Sequence, residues 1–83
     1  MLKLRIVTPE HVTYDGEAES VLVPGTLGQF EILNNHAPII SSLGKGIVEY
    51  ATPNGKQQLP ISGGFVEVQQ NVVSLCVEVD KTE

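Results

Sequence analysis

Val72-Val-Ser-Leu-Cys-Val-Glu-Val-Asp80 is the stretch that decides the fold class of this 83-residue chain. It lies in residues 65–83, the only run without Gly or Pro that is long enough for an average helix. Within it, apolar residues at 73, 75, 77 and 79 alternate with Ser, Cys, Glu and Asp at 74, 76, 78 and 80. A period of two residues places alternate side chains on opposite faces of an extended chain, so this stretch predicts a β-strand.

Glycine and proline interrupt the rest of the sequence too often for helices. The chain has 8 Gly and 5 Pro, and the longest run without either before residue 65 is 29–37. Turn signals stand at Asp15-Gly16, Pro53-Asn54-Gly55 and Gln70-Asn71. We therefore predict an all-β sandwich or barrel of eight to ten short strands, at residues 2–6, 12–14, 17–23, 29–33, 39–43, 47–51, 56–61, 64–69 and 72–79.

Composition narrows the classes of function. The chain is 41% hydrophobic and 18% charged with a net charge of −5, which is typical of one small globular domain over residues 1–83. With 5 Lys plus Arg and an acidic balance, it is a poor match for nucleic acid. Cys76 has no partner for an internal disulfide, which favours a reducing compartment, and no zinc-ligand spacing is present. No stretch approaches the ~18 apolar residues of a membrane-spanning helix.

Three groups of residues are candidates for chemical sites. Cys76 and His36 could form a cysteine hydrolase pair, but a lone Cys within a strand pattern is usually a small buried residue. The carboxylates at 15, 17 and 19 could hold a cation, but they are more simply explained as a solvated strand edge. Residues 25–28 (Gly-Thr-Leu-Gly) lack the Lys-Ser/Thr of a phosphate-binding loop. We expect no catalytic, metal or cofactor site.

Two further segments remain open on physical grounds alone. Ser62-Gly63-Gly64-Phe65 indicates either a β-bulge or a place where another backbone comes close. His36-Ala37-Pro38-Ile39-Ile40 is either a packed corner or an exposed contact.

Five segments, taken in order, resemble the epsilon subunit of F-type ATP synthases. They are residues 8–10 (Thr-Pro-Glu), 14–17 (Tyr-Asp-Gly-Glu), 23–28 (Val-Pro-Gly-Thr-Leu-Gly), 36–40 (His-Ala-Pro-Ile-Ile) and 61–68 (Ile-Ser-Gly-Gly-Phe-Val-Glu-Val). The resemblance covers about residues 2–79. It implies a flattened β-sandwich of about ten short strands in two sheets.

The resemblance also implies a function. The epsilon subunit is a non-catalytic rotor subunit of the central stalk, which links the gamma subunit to the c-ring and couples proton flow to ATP synthesis. The expected location is the cytoplasmic face of the bacterial cell membrane, as a peripheral part of the complex without insertion into the membrane. We expect no nucleic-acid partner and no ATP binding by this chain. The alternative is a stand-alone β-sandwich binding module or adaptor, and a cysteine hydrolase ranks third.

Site residues follow from the resemblance position by position. Thr8, His36, Ser41 and Ser62 occupy places that face gamma in the family. The segment Gln29-Phe30-Glu31, expected as a loop, occupies the place that meets the c-ring.

The ring-facing segment departs from the family pattern. Gln29 replaces the usual acidic residue, Glu31 replaces Gly, and Asn34-Asn35 replace Pro-Gly. Asn tolerates a left-handed backbone, so the turn before His36 can form. A carboxylate moved by two residues stays on the same strand face.

The C-terminus differs as well. Most bacterial relatives continue into a helical hairpin that restrains ATP hydrolysis, whereas this sequence ends in a polar stretch at 79–83. We expect no C-terminal helical domain, and therefore rotation coupling without inhibition of hydrolysis.

Overall fold

Eight strands and no helix form residues 1–80, the part of the chain that the computed structural model describes. The polar ending predicted for the chain lies partly outside these residues, at 81–83. The strands are β1 (Leu2–Val7), β2 (Val12–Ala18), β3 (Ser20–Gly25), β4 (Gly28–Leu33), β5 (Ile39–Leu43), β6 (Gly46–Thr52), β7 (Gly55–Gln69) and β8 (Val72–Val79).

The long strand β7 joins two layers of a sandwich. Its first half, residues 55–61, pairs with β6, and its second half, residues 63–69, pairs with β8 and, over residues 64–68, with β5. The first layer therefore has the order β2-β1-β8-β7-β5, and the second layer has the order β4-β3-β6-β7. Extents of 34 × 28 × 19 Å fit two sheets about 10 Å apart. The predicted flattened sandwich is confirmed.

The two layers are also hydrogen-bonded to each other at the corner opposite the middle of β7. There Thr26 N donates to the Ser42 carbonyl at 3.1 Å, and Gly44 N donates to the Pro24 carbonyl at 2.8 Å. These bonds join β3 of the second layer to β5 of the first, so the hydrogen-bonded sheet is continuous around the core.

Alternate side chains of every layer-forming strand fill one core. Leu2, Leu4 and Ile6 of β1 are fully buried, while Lys3 and Arg5 between them are exposed. The same alternation buries the inner face of the other strands, including Val21 and Val23, Val66 and Val68, and Val73, Leu75 and Val77. Each such side chain contributes roughly 1.5–3 kcal/mol through burial, so the period of two is the main source of stability.

Asp15-Gly16 does not form the predicted turn. Both residues lie inside β2, opposite Arg5 and Leu4 of β1. Gly16 instead makes room for the Tyr14 ring, because a Cβ there would lie 2.9 Å from the Tyr14 hydroxyl oxygen. That hydroxyl donates to the Glu17 carbonyl at 2.7 Å. The ladder with β1 outweighs the local turn preference.

The predicted break between two strands at residues 62–63 is a bulge within one strand. The pairing of β7 with β8 shifts between Ile61 and Gly63, which leaves Ser62 without a cross-strand partner. A bulge bends a strand locally, and here it lies where β7 passes from one layer to the other. Because β7 is continuous, residues 1–80 contain eight strands, at the lower end of the predicted eight to ten and fewer than the ten of the family.

Gly64 confirms the second interpretation of the Gly-Gly pair, a close approach of backbone. Its φ is +147°, and a Cβ built on it would meet the Cys76 carbonyl oxygen and lie 2.7 Å from Val77 Cα. Gly63 differs, since a Cβ there would have only the Leu43 carbonyl oxygen nearby, at 3.7 Å. One of the two glycines is therefore required by geometry.

Tyr50 of β6 links the layers through Tyr14 of β2. The ring centroids lie 5.1 Å apart, and Tyr50 is buried within the core. Burial raises the pKa of the Tyr50 phenol above its ordinary value of 10.0, with a smaller contribution from Tyr14.

The raised pKa predicts a loss of stability at alkaline pH. The folded state holds the phenolic proton more tightly than the unfolded chain, so this contribution is complete below pH 10 and is lost as the pH rises through the folded value. Urea unfolding between pH 8 and 11.5 should show a steeper decline for the wild type than for Tyr50→Phe, by at most about 1.4 kcal/mol per pH unit. Equal slopes would contradict this assignment.

Candidate interaction surfaces

The outer face of the first layer carries a row of apolar side chains. Cross-strand pairing places Val7 beside Cys76, and Cys76 beside Phe65. Phe65 is 50% exposed although it alternates with the buried Val66. Phe65 points to the same outer face as Glu67 and Gln69. A large apolar residue at such a position is a signal in the sequence that our site prediction missed.

This row borders a shallow depression of about 440 Å³, which we call the first-layer groove. Its wall includes Val7, Pro9, Phe65 and Cys76, and Gly63 and Gly64 contribute no side chains to it. An apolar centre with a polar rim, here Glu78, is the pattern of a protein–protein contact.

Of the predicted gamma-facing residues, Thr8 lines this groove and Ser62 lies beside it. Both line a smaller depression of about 200 Å³. Thr8 is nevertheless only 5% exposed, and its hydroxyl donates to the His11 carbonyl at 3.1 Å. Thr8 therefore stabilises the β1–β2 turn, whereas Ser62 is exposed and donates to the Glu78 carbonyl at 3.3 Å.

His36 and Ser41, the other two predicted gamma-facing residues, do not join them. Ser41 pairs with the buried Val66, so its side chain turns to the inner side of edge strand β5. His36 lies in the β4–β5 loop, beyond the opposite end of β5. Ile39, the first residue of β5 after the His36 loop, pairs with Val68 of β7. Val68 is six residues from Ser62 along β7, so His36 and Ser62 lie near points of β7 that are about 20 Å apart. The four positions do not form one patch.

The loop that carries His36 is held by a pair of asparagines. Asn35 N donates to Asn71 Oδ1 at 2.6 Å, and Asn71 Nδ2 donates to Asn35 Oδ1 at 3.3 Å. Asn35 has a φ of 67°, which confirms the left-handed turn expected there. Asn71, with a φ of 63°, belongs to the β7–β8 turn. Nothing in the sequence signals this link between residues 36 positions apart.

Gln29, Phe30 and Glu31 lie in edge strand β4, which confirms the strand predicted at 29–33, and not in the loop expected from the resemblance. Phe30 packs against the core, whereas Gln29 and Glu31 are exposed on the outer face of the second layer. The expectation that a shift of two residues keeps a carboxylate on one face is confirmed by this alternation. Of the three predicted ring-facing residues, two are therefore available to a partner.

The structure separates the residues of the cysteine hydrolase hypothesis. Cys76 lies between Val7 and Phe65 in the outer row of the first layer. The ring nitrogen Nδ1 of His36 lies 2.8 Å from the Ala37 carbonyl oxygen. Within residues 1–80 no hydrogen bond joins Cys76 to His36.

The acidic and glycine-rich segments have structural roles. Asp15 and Glu17 stand on β2 opposite Arg5 and Lys3, so each carboxylate faces a cation of the neighbouring strand. Residues 25–28 form the tip of the β3–β4 hairpin, where Gly25 pairs with Gly28. In the part of the chain that the structure describes, no group of three His, Cys, Asp or Glu side chains could hold a metal ion.

Comparison with known proteins agrees with this architecture. The sequence model of the family "ATP synthase, Delta/Epsilon chain, beta-sandwich domain" matches residues 1–80. The ATP synthase epsilon chain of Leptospira interrogans is 42% identical over 77 residues, covering 93% of this chain and 61% of that one. That of Desulfitobacterium hafniense is 47% identical over 76 residues, covering 90% and 57%. The chain thus spans about three fifths of the length of these relatives.

Solved structures show the same fold. A chain of the Euglena gracilis mitochondrial ATP synthase, in a structure described as OSCP/F1/c-ring, superposes with a TM-score of 0.85 at 25% identity. The match covers 92% of this chain and 49% of that one. Among residues 1–80, no helix is long and apolar enough to cross a membrane.

Proposed function

The chain belongs to the family of ATP synthase delta/epsilon chain β-sandwich domains, and from this membership we propose that it is a central-stalk subunit that links a gamma-type subunit to the c-ring. The observation that carries the proposal is the family match over residues 1–80. Relatives that are about 40% identical or more over nearly all of this chain are ATP synthase epsilon chains. In such a complex the domain would rotate with both partners and couple proton flow to ATP synthesis.

We place the gamma contact on the first-layer groove. Phe65 and Val7 supply the apolar centre, and the exposed Ser62 and Glu78 supply polar groups at its edge. Ser62 is the carried-over position that fits this surface best, because Thr8 is buried and Ser41 turns inward. His36 would meet gamma only if gamma extended about 20 Å along the second half of β7, from Ser62 to Val68.

The proposed role is non-catalytic. The chemistry of the described residues supports this role. Cys76 lies in the outer apolar row of the first layer and His36 lies in the β4–β5 loop, so the two do not share a site. The glycines of residues 25–28 form a hairpin tip and not a cradle for phosphate. We accordingly propose no ATP binding by this domain, and a peripheral position on the complex at the cytoplasmic face of a bacterial membrane.

The direct test is to mix the purified chain with the gamma subunit and with the c-ring of the same organism. The expected result is a stable complex with gamma in size-exclusion chromatography, and retention of the pair on immobilised c-ring. An adaptor that acts outside the ATP synthase would bind neither. Failure to bind gamma would overturn the proposed function.

A further inference from the structure

Strand β5 ends the first layer and has no neighbouring strand on its outer side over most of its length. Its inner side pairs with β7 over residues 39–43. On the outer side, within residues 1–80, only Leu43 of β5 pairs with another strand, through Gly25 of β3. An edge strand presents unpaired N–H and C=O groups, which form a template for a further strand. The outer side of β5 is therefore open to strand addition.

The edge strands of the two layers differ in charge. β2 ends the first layer on the opposite side and carries Asp15 and Glu17, and β4 ends the second layer and carries Glu31. Residues 39–43 (Ile-Ile-Ser-Ser-Leu) carry no charge, and Ile40 is 73% exposed. Charged side chains on an edge oppose its pairing with another copy, because like charges would then face each other. Among these three edges, β5 alone lacks that protection.

Hydrogen bonds at one end of β5 show which backbone groups face the open side. The Ser42 carbonyl accepts from Thr26 N at 3.1 Å and from Ser41 Oγ at 3.2 Å. Successive residues of an antiparallel strand direct their N–H and C=O groups alternately to one neighbouring strand and to the other. The N–H and C=O of Ile40 therefore point to the same side as the Ser42 carbonyl. The N–H of Ser42 and the carbonyl of Pro38 point there as well.

We propose that β5 pairs antiparallel with β5 of a second copy of this chain, in the register that places Ile40 opposite Ile40 about a two-fold axis. Each Ile40 then donates to and accepts from its counterpart, and each Ser42 N–H donates to the Pro38 carbonyl of the other copy. The same register places the Pro38 nitrogen opposite the Ser42 carbonyl. Proline has no N–H to donate, and that carbonyl already has its donors in Thr26 and Ser41. Every backbone group of the paired segment is thus satisfied.

The side chains on the outer face fit the same register. Ile40 residues that form a hydrogen-bonded pair have Cα atoms about 5.5 Å apart, so the two exposed side chains pack on each other and leave water. A pair of five-residue strands falls short of the roughly 800 Å² that each partner buries in a standard interface. We therefore expect a weak dimer, formed in concentrated protein. Its formation needs no ATP synthase partner, so the inference stands apart from the proposed function.

The test is sedimentation equilibrium of the purified chain in a concentration series up to about 1 mM. Salt at about 0.15 M limits the repulsion between copies that each carry a net charge of −5. The wild type should pass from monomer towards dimer across the series. Ile40→Lys and Ile40→Glu should each raise the dissociation constant at least tenfold, because like charges then face each other across the axis. An equimolar mixture of the two variants should restore association, because opposite charges then meet.

Ile47→Lys and Ile47→Glu are the matched controls, with circular dichroism to confirm that every variant is folded. Ile47 is 53% exposed but lies on β6, which pairs with both β3 and β7, so both variants should associate as the wild type does. Equal losses at positions 40 and 47 would overturn the assignment to β5. A wild type that stays monomeric up to about 1 mM would overturn the dimer, and a mixture that stays monomeric would overturn the register. A monomeric wild type whose Ile40→Lys variant binds gamma more weakly would show that gamma, and not a second copy, covers β5.

Discussion

Gly64→Ala is expected to destabilise the domain by about 3 kcal/mol or more, the combined cost of a strained backbone and an overpacked site. Alanine is disfavoured at a φ of +147°, and its Cβ would overlap the Cys76 carbonyl and lie 2.7 Å from Val77 Cα. These are backbone atoms of β8, which cannot move without disturbing the ladder between β7 and β8. For a domain of this size, with total stability on the order of 5–10 kcal/mol, the loss is a large fraction.

Gly63→Ala is the matched control, one residue away in the same strand. Its added methyl group would have the Leu43 carbonyl oxygen 3.7 Å away, which is ordinary contact, and its backbone lies outside the left-handed region. Urea unfolding should place this variant within about 1 kcal/mol of the wild type. If both alanine variants unfolded at the same urea concentration, the close approach at Gly64 would not govern stability.

Phe65→Asp is expected to weaken binding to gamma at least 30-fold, or about 2 kcal/mol. The aromatic ring is half-exposed over the first-layer groove, where buried aromatic residues carry much of the energy of a contact. A carboxylate in its place would have to be desolvated on docking without a partner among Val7, Pro9 and Cys76. Isothermal titration of each variant into gamma measures the change.

Leu33→Asp provides the comparison for Phe65. Leu33 is 51% exposed, nearly the same fraction, but it lies on β4 of the second layer. Gamma affinity should therefore be retained in Leu33→Asp. A loss of the same size in both variants would move the gamma contact away from the first-layer groove.

Strand positions were predictable wherever the alternation of apolar residues is unbroken. Residues 72–79 were predicted with the observed bounds because apolar and polar residues alternate from Val73 to Val79. Residues 39–43 do not alternate in sequence, and their bounds were predictable because Pro38 and Gly44 stand on either side. Asp15-Gly16 misled the prediction, since the turn preference of a dipeptide is local while its pairing with Arg5 and Leu4 is not. The continuity of β7 through Ser62 could not be predicted, because a pair of adjacent glycines is compatible both with the end of a strand and with a bend inside one.

The candidate site was harder to predict than the fold. A position carried over from a family says where a residue lies along the chain, but not where its side chain points. Thr8 is therefore buried in a turn, and Phe30 packs inward between the exposed Gln29 and Glu31. Phe65 and Ile40 could have been found by asking which large apolar residues are out of phase with the core.

The passage of β7 through both layers has a mechanical consequence. Partners bound to opposite outer faces would apply a twisting load across the sandwich, and two layers joined only by side-chain packing can slide. Here the covalent backbone of one strand resists that shear along one corner, and the hydrogen bonds between β3 and β5 resist it at the other. The two layers are therefore connected by backbone at both corners of the sandwich. They should move together under such a load, and the bulge at Ser62 marks where β7 bends from one layer into the other.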